Sequence, residues 1–334
     1  MSGSRALRVA VAGATGALGG ELLTVLDARR FPLGELVPLA SEGSRGETIE
    51  FRDEPYTVES DPERIAGCDL LFLCAPAGPS LDLVRVALRG RVPCIDLSGA
   101  LAGSAEVPLA VADLGVRPEV LRQPALASPD GVTIALALVL APLARAAGLR
   151  RIVAATLESV AGGGRAGLEA LSAETRALFN QQDLPEPTVF SHFVAFDCVP
   201  AVGAGGEGGE TDHEAALARG LRRLLGGELG VAVTAVRVPT FAGDGCALAL
   251  ELERALAPAE AAGLLAKAPG VGLWQEQGPG PTTRGTAGRE SVLVGRLRAD
   301  PSLATGLLLY CAADGLRLAA LNGAKLAEAR IGGA

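Results

Sequence analysis

Histidine and lysine are scarce in this chain. Its 334 residues hold two histidines, His192 and His213, and two lysines, Lys267 and Lys325, so nearly all of its 30 Lys and Arg side chains are arginine. Chemistry that needs a lysine amine has two places to start. A metal site is not expected, because no CxxC pair and no Cys/His cluster is formed by the six cysteines at 68, 74, 94, 198, 246 and 311. Those cysteines lie in apolar surroundings and read as reduced, buried thiols of a cytoplasmic protein. Excess positive charge is also missing. A net charge of −8 argues against a protein built to neutralise nucleic-acid backbones. No apolar run is long enough for a bilayer. The longest, residues 132–149, is interrupted by Pro142 and Arg145 and reads as a buried helix. Residues 1–5 lead directly into a strand-like Leu7–Ala12, without the three-part pattern of a secretory signal. The expectation is a cytoplasmic protein that binds neither nucleic acid nor membrane.

What the chain does have is apolar residues, 49% of the total, with 20% charged. That composition and length suit two domains with sizeable cores. In the first half, short apolar runs at 7–12, 36–40, 69–74 and 92–96 alternate with helical patterns at 18–29 and 79–89. Continuous apolar strands separated by helices predict an α/β domain with a doubly wound parallel sheet, the Rossmann arrangement. The second half differs in kind. Strand-like runs fall at 151–160, 231–239, 247–253 and 307–313, of which 231–239 and 247–253 are of the kind found in an antiparallel sheet, with helices near 167–180, 214–225 and 316–330. It is expected to be α+β. The glycine-rich stretch 203–209 reads as mobile, and 275–289 as a long loop.

Gly13, Thr15, Gly16, Ala17, Leu18 and Gly19 fall directly after the first strand and open a helix. Glycines there let the backbone turn tightly and approach a pyrophosphate, which the helix N-terminus attracts. The tip of the second strand, Ser41, Glu42, Ser44 and Arg45, offers two hydroxyls and a guanidinium. These suit a 2′-phosphate, so NADP is expected over NAD, with Glu42 as the counter-signal.

The glycine loop, the 40–46 tip, Asp96-Leu97-Ser98-Gly99-Ala100, Ala127-Ser128-Pro129, the run 193–200, Arg237-Val238-Pro239-Thr240-Phe241 and the stretch 314–328 come in an order that resembles the aspartate-β-semialdehyde dehydrogenase family. The resemblance covers nearly the whole chain. It implies a Rossmann domain of residues 1–128 plus 314–334 and an α+β dimerisation domain of 129–313, hence a homodimer. It implies NADP-dependent reductive dephosphorylation of aspartyl phosphate through a cysteine thioester. It also carries Gly162 and Asn322 to the cofactor and Arg237 to a substrate carboxylate.

The same resemblance leaves the reactive positions empty. Gly131 stands where the nucleophilic cysteine belongs, Asp244 where the acid/base histidine belongs, and Glu158 where a glutamine belongs. Ala102 matches the phosphate-binding arginine, Ala216 its lysine counterpart and Gly220 the glutamate partner. Without a thiol at a helix N-terminus the covalent route is lost. The chain therefore resembles a degenerate, catalytic-residue-lacking paralogue that retains cofactor binding and pairing. The alternative is an active dehydrogenase, or another NADP oxidoreductase, with a relocated site. Cys246 or Cys74 would then be the nucleophile, or Asp244 or Glu158 the acid/base. Against this, Asp244 and Cys246 share one face of a strand, and a carboxylate raises a neighbouring thiol's pKa. Glu158, Asp244 and Arg237 read as an internal ion-paired cluster, or as a site for a cationic ligand. His192 reads as a structural histidine and His213 as an exposed residue near a helix start.

Overall fold

The computed structural model describes residues 6–275 and 278–332. Residues 1–5, where a signal segment was sought, lie outside the described residues, as do residues 276 and 277 of the expected long loop. The chain divides into two compact units, Met1–Asp130 with Ala319–Ala334, and Gly131–Leu318.

The first unit begins with β1 (Leu7–Ala12), α1 (Ala17–Ala28) and β2 (Leu33–Leu39). A hairpin of β3 (Thr48–Phe51) and β4 (Glu54–Thr57) follows, which the sequence reading did not anticipate. Its turn is Arg52-Asp53, both left-handed at φ 54° and 62°, instead of the Asn-Gly or Asp-Gly signal that usually marks such a turn. Then come β5 (Leu70–Leu73), α2 (Ala77–Arg89), β6 (Cys94–Asp96), α3 (Pro118–Leu121) and β7 (Ala125–Ala127). Five strands make one parallel sheet in the order β2-β1-β5-β6-β7. Alternate residues of β1 feed opposite cores. Val9 and Val11 pack with Leu22 and Leu26 of α1 and with Leu321 and Ala324, while Ala10 and Ala12 pack with Val84 and Ala87 of α2. A sheet covered on both faces needs apolar residues at every position, which is why these strands read as unbroken apolar runs.

The second unit opens with α4 (Gly131–Ala147), almost wholly buried, and β8 (Leu149–Glu158). It continues through α5 (Gly164–Phe179), α6 (Asp212–Leu225), β9 (Gly230–Arg237), β10 (Asp244–Leu252), α7 (Pro258–Leu265), β11 (Val271–Leu273), α8 (Thr283–Thr286), β12 (Val292–Ala299) and β13 (Gly306–Ala313). The six-stranded sheet runs β11-β12-β13-β10-β8-β9. It is mixed, which corrects the antiparallel expectation. β9 lies parallel to β8 because the chain between them crosses over through α5 and α6, the connection parallel strands require. The glycine-rich stretch 203–209 precedes α6. It closes as a turn, with Gly206 N donating to Glu210 O at 2.8 Å, and the following Asp212 carboxylate accepts from Ala204 N at 2.9 Å. The last helix, α9 (Gly315–Gly332), starts in the second unit and ends in the first.

Two glycines of the first unit are fixed by close approach. Gly13 has φ 80°, and a Cβ there would stand 2.6 Å from Ala75 N; a Cβ on Gly19 would overlap the Gly13 carbonyl. Gly20, next along α1, faces open space. Gly19→Ala is therefore expected to destabilise the protein by about 1–3 kcal/mol through overpacking. Gly20→Ala should stabilise it by about 0.5–1 kcal/mol through helix propensity. Urea denaturation of the two variants checks the contrast.

Candidate functional site

The glycine loop joins β1 to α1 as expected. Gly16 is the N-cap of α1 and no side chain caps it, so the helix entrance is bare backbone. The close contacts at Gly13 and Gly19 hold that backbone in a cradle where side chains would collide, which fits a pyrophosphate-binding turn. Beyond β2, Glu42–Ser44 form a single 3₁₀ turn with Ser41 as its N-cap. The Arg45 guanidinium lies 3.7 Å from the Glu42 carboxylate, both well exposed. Asn322 on α9 is buried and committed. Its Oδ1 accepts from Ala112 N at 2.8 Å, and its Nδ2 donates to Ala110 O at 3.0 Å and Ser128 Oγ at 2.8 Å. Both its N–H groups are thus already engaged with this unit.

In the second unit, Glu158 ends β8 and pairs in register with Arg237, the last residue of β9; Asp244 begins β10. Three strand ends therefore bring the three charged residues together. They do not form the ion-paired cluster expected from the sequence. The Arg237 guanidinium donates to the Ser159 carbonyl and stands 5.3 Å from the centre of the Phe190 ring. Asp244 Oδ1 accepts from Ser159 N at 2.8 Å and Ser159 Oγ at 3.0 Å. Ser159 thus separates the opposite charges. Gly162 lies in the adjoining turn, against the Arg237 guanidinium.

Glu158 takes its partner from elsewhere. His213 Nε2 stands 2.9 Å from Glu158 Oε1, and Thr156 Oγ1 donates to the same oxygen at 2.8 Å. The expectation that His213 is exposed is corrected. Thr211 and Glu214 make a reciprocal capping box that starts α6 at Asp212. Leu217, Ala218 and Leu221 are buried, which puts His213 on the border of the buried stripe. That box and stripe are legible in the sequence and could have located it. His192 is corrected in the opposite direction, since it is exposed with its Nδ1 3.0 Å from Ser191 Oγ. Phe190 and Glu174 were missed as well. Glu174, buried on α5, accepts from Val194 N at 2.8 Å and Ala195 N at 2.9 Å, pinning the segment that carries Phe190.

Burial alone would push the Glu158 carboxyl up, but the bond to His213, with Thr156 and the charge of Arg237, brings it below its ordinary range. Burial lowers the Arg237 guanidinium against the pull of both carboxylates. Asp244 goes the other way. Burial, helped by the charge on Glu158, raises it to about 6 despite the Ser159 bonds.

Gly131 is the first residue of α4, so the helix N-terminus that a thiolate would need is in place. The room for a side chain is not. A Cβ on Gly131 would overlap the backbone of Gly315, and a Cβ on Gly315 would overlap the Asp244 carboxylate. The space bounded by Gly131, Asp244, Cys246, Cys311 and Gly315 has no room for a water molecule. Cys246 is buried opposite Cys311 across the β10–β13 ladder, and its contact with that thiol, together with burial, pushes its pKa well up. Burial raises the Cys74 thiol as well. Neither is poised as a thiolate. Among the described residues, no group of three or more His, Cys, Asp or Glu side chains could hold a metal, and no helix is long and apolar enough to cross a membrane.

Residues 8–123 match the family model described as semialdehyde dehydrogenase, NAD binding domain, and residues 140–318 match semialdehyde dehydrogenase, dimerisation domain. The chain is 33% identical to the aspartate-semialdehyde dehydrogenase of Aquifex aeolicus, over 96% of this chain and 97% of that protein. It is 34% identical to a USG-1 protein homolog of Azotobacter vinelandii, over 98% of each. Among solved structures it is similar to Vibrio cholerae aspartate semialdehyde dehydrogenase II complexed with ASA, with a TM-score of 0.91, 31% identity, and 97% and 98% of the two chains covered.

The raised carboxyl of Asp244 has a measurable signature. A group that holds its proton more tightly folded than unfolded adds stability as pH falls from about 6 toward 3.8, and that stability is lost as pH rises through about 6. Asp244→Asn does not titrate. Relative to this variant, the wild-type protein is expected to gain on the order of 3 kcal/mol between pH 7 and pH 4. Denaturant midpoints of both proteins across that range check it; a constant difference would contradict the burial of the charge.

Proposed function

Since the chain belongs to the aspartate-semialdehyde dehydrogenase family, we propose that it is a nicotinamide-nucleotide-binding homodimer that does not perform the phosphorylating dehydrogenase reaction. The observation that carries this reading is the contact of Gly131 with Gly315. A thioester needs a sulfur on the first residue of α4, and the backbone of Gly315 lies where its Cβ would be. The other positions agree. Ala102 and Ala216 cannot bind phosphate, and Asp244 offers a carboxylate in place of an imidazole. Loss of a member of a nucleophilic unit costs about 10⁶ in kcat.

The Gly13–Gly19 backbone would hold the pyrophosphate of the dinucleotide, with Ser41, Ser44 and Arg45 at the 2′-phosphate of NADP. When bound, the nicotinamide supplies a hydride donor or acceptor. Arg45 and Glu42 are both exposed, so the guanidinium is free to turn toward a phosphate at little cost. By the family resemblance Arg237 is the residue for a carboxylate ligand, which would compete with the Ser159 carbonyl for its guanidinium. A second reading draws on the His213–Glu158 pair, which could transfer a proton in a direct-hydride reaction of a small carbonyl compound. NADPH oxidation across a panel of aldehydes and keto acids tests it.

The second unit supports pairing. Outward residues of its sheet include Val153 and Ala155 on β8, Ala247 and Ala249 on β10 and Leu308 and Tyr310 on β13, an apolar row where a solvated sheet would alternate to polar side chains. A second copy covering that face accounts for it. Val153→Arg is expected to weaken the dimer at least tenfold by sedimentation.

The purified protein is expected to bind NADPH more tightly than NADH, and to show no phosphate-dependent oxidation of aspartate semialdehyde. Gly131→Cys should restore no turnover and should cost about 1–3 kcal/mol or more of stability from overpacking. Turnover at ordinary enzyme rates, in either protein, would overturn the proposal.

A further inference from the structure

Phe190 sits in a slot that two glycines open. A Cβ on Gly163 would stand 2.8 Å from the tip of its ring, and a Cβ on Gly167 3.0 Å from the same atom. Gly163 has φ −84°, a value open to every residue, so the backbone does not require glycine there. Gly167 is buried inside α5, where glycine is disfavoured; a side chain would meet both the ring and the Val160 carbonyl oxygen. Phe190 packs on the small apolar core of Val160, Leu171, Val194, Ala195 and Val199. The Arg237 guanidinium, 5.3 Å from the ring centre, faces the ring from the other side. The slot therefore has an apolar floor and a cationic wall, a shape suited to a flat ring.

The segment that carries Phe190 is held by little else. Among the described residues, Asp183 to Phe193 make no main-chain hydrogen bond; the one bond of the stretch joins the Ser191 and His192 side chains at 3.0 Å. Its two ends are fixed. Gln182 N donates to Ala177 O at 2.9 Å, and the Glu174 carboxylate takes Val194 N and Ala195 N. Between Gln181 and Val189 all side chains but that of Leu184 are exposed. A strap attached in this way lifts without breaking main-chain bonds, so its opening is inexpensive. The Arg237 guanidinium meets the Ser159 carbonyl and the Phe190 ring, both from its own chain. The ring is the partner that the strap can withdraw.

We propose that Phe190 is the internal occupant of a ligand subsite. The slot takes the aromatic ring of an aryl-substituted carboxylic acid whose carboxylate goes to Arg237, and the strap lifts as the ligand enters. The proposal rests on the reading of Arg237 as a carboxylate-binding residue and states what the remainder of the ligand is. An incoming ring makes the same apolar and cation–π contacts that Phe190 makes, so Phe190 acts as a tethered competitor. A phosphate or a polyhydroxylated group finds no hydrogen-bonding side chain on the apolar floor and would be desolvated there without compensation.

The test uses the full-length protein with NADPH present, phenylacetate and acetate as probes, and dissociation constants from ligand-observed NMR. Phe190→Ala removes the competitor. It is expected to bind phenylacetate about tenfold tighter than wild type, with acetate changed less than about threefold. Adding Gly163→Ala to Phe190→Ala places a methyl group in the slot, and should weaken phenylacetate about tenfold while leaving acetate unchanged. Chymotrypsin reads the strap in the wild type. Saturating phenylacetate should raise cleavage after Phe190 about fivefold or more, with cleavage after the exposed Phe179 unchanged as the internal control. Phenylacetate affinity unaltered or weakened in Phe190→Ala would overturn the proposal. Equal affinity with and without Gly163→Ala would remove the ligand ring from the slot, and unchanged cleavage after Phe190 would refute the lifting of the strap. Binding of neither probe to Phe190→Ala, or binding that survives in Phe190→Ala/Arg237→Gln, would overturn the carboxylate reading of Arg237 together with the proposal.

Discussion

The contact between the backbones of Gly131 and Gly315 is the constraint around which the strand ends and helix starts of the second unit are arranged. Two helices begin there, α4 and α9, and each begins with a residue that has no side chain. The Asp244 carboxylate closes the third side. Helix N-termini attract negative charge, and such a position ordinarily recruits a reactive thiolate or an anionic ligand. Here backbone and an internal carboxylate take up the volume. The three residues depend on one another, since a Cβ at either glycine needs space that its neighbour holds.

The charged residues at the neighbouring strand ends follow the same logic. A buried carboxylate at 158 requires compensation, and His213 with Thr156 provides it. A second carboxylate at 244 holds its proton more firmly because it is buried and faces the charge on Glu158, despite its bonds to Ser159 and the charge of Arg237. Arg237 between them is turned toward a carbonyl and an aromatic face. The cluster is internally satisfied in a way that a site built to receive a phosphate and a carboxylate together would not be.

Much of the fold was legible because both sheets follow simple patterning. The parallel strands of the first unit are apolar at nearly every position, and the glycine loop follows the first of them directly. Direction was harder to read than existence. The pattern of β9 marks a strand, but whether it runs with or against β8 depends on the crossover through α5 and α6. The hairpin β3–β4 escaped because its turn uses Arg52-Asp53, which a side-chain network of Arg52 stabilises: Nη2 donates to Phe31 O at 2.7 Å and Nη1 to Leu33 O at 3.1 Å. Of the site, the residues at strand ends were found through the family resemblance. Phe190 was missed because its role comes from a loop pinned by Glu174, which shows as no motif, whereas the capping box and apolar stripe that place His213 were there to be read.

α9 supplies Leu321, Ala324, Leu326 and Ala327 to the core on one face of the five-stranded sheet, and its Lys325 and Glu328 pair with Asp113 and Arg29. Those residues come about two hundred to three hundred positions after the strands they cover. During synthesis the five strands leave the ribosome with that face covered by α1 but not yet by α9. That face is sealed only when residues 321–327 have been made. The nucleotide-binding half therefore becomes complete only after the whole second unit has been made, although its strands come first.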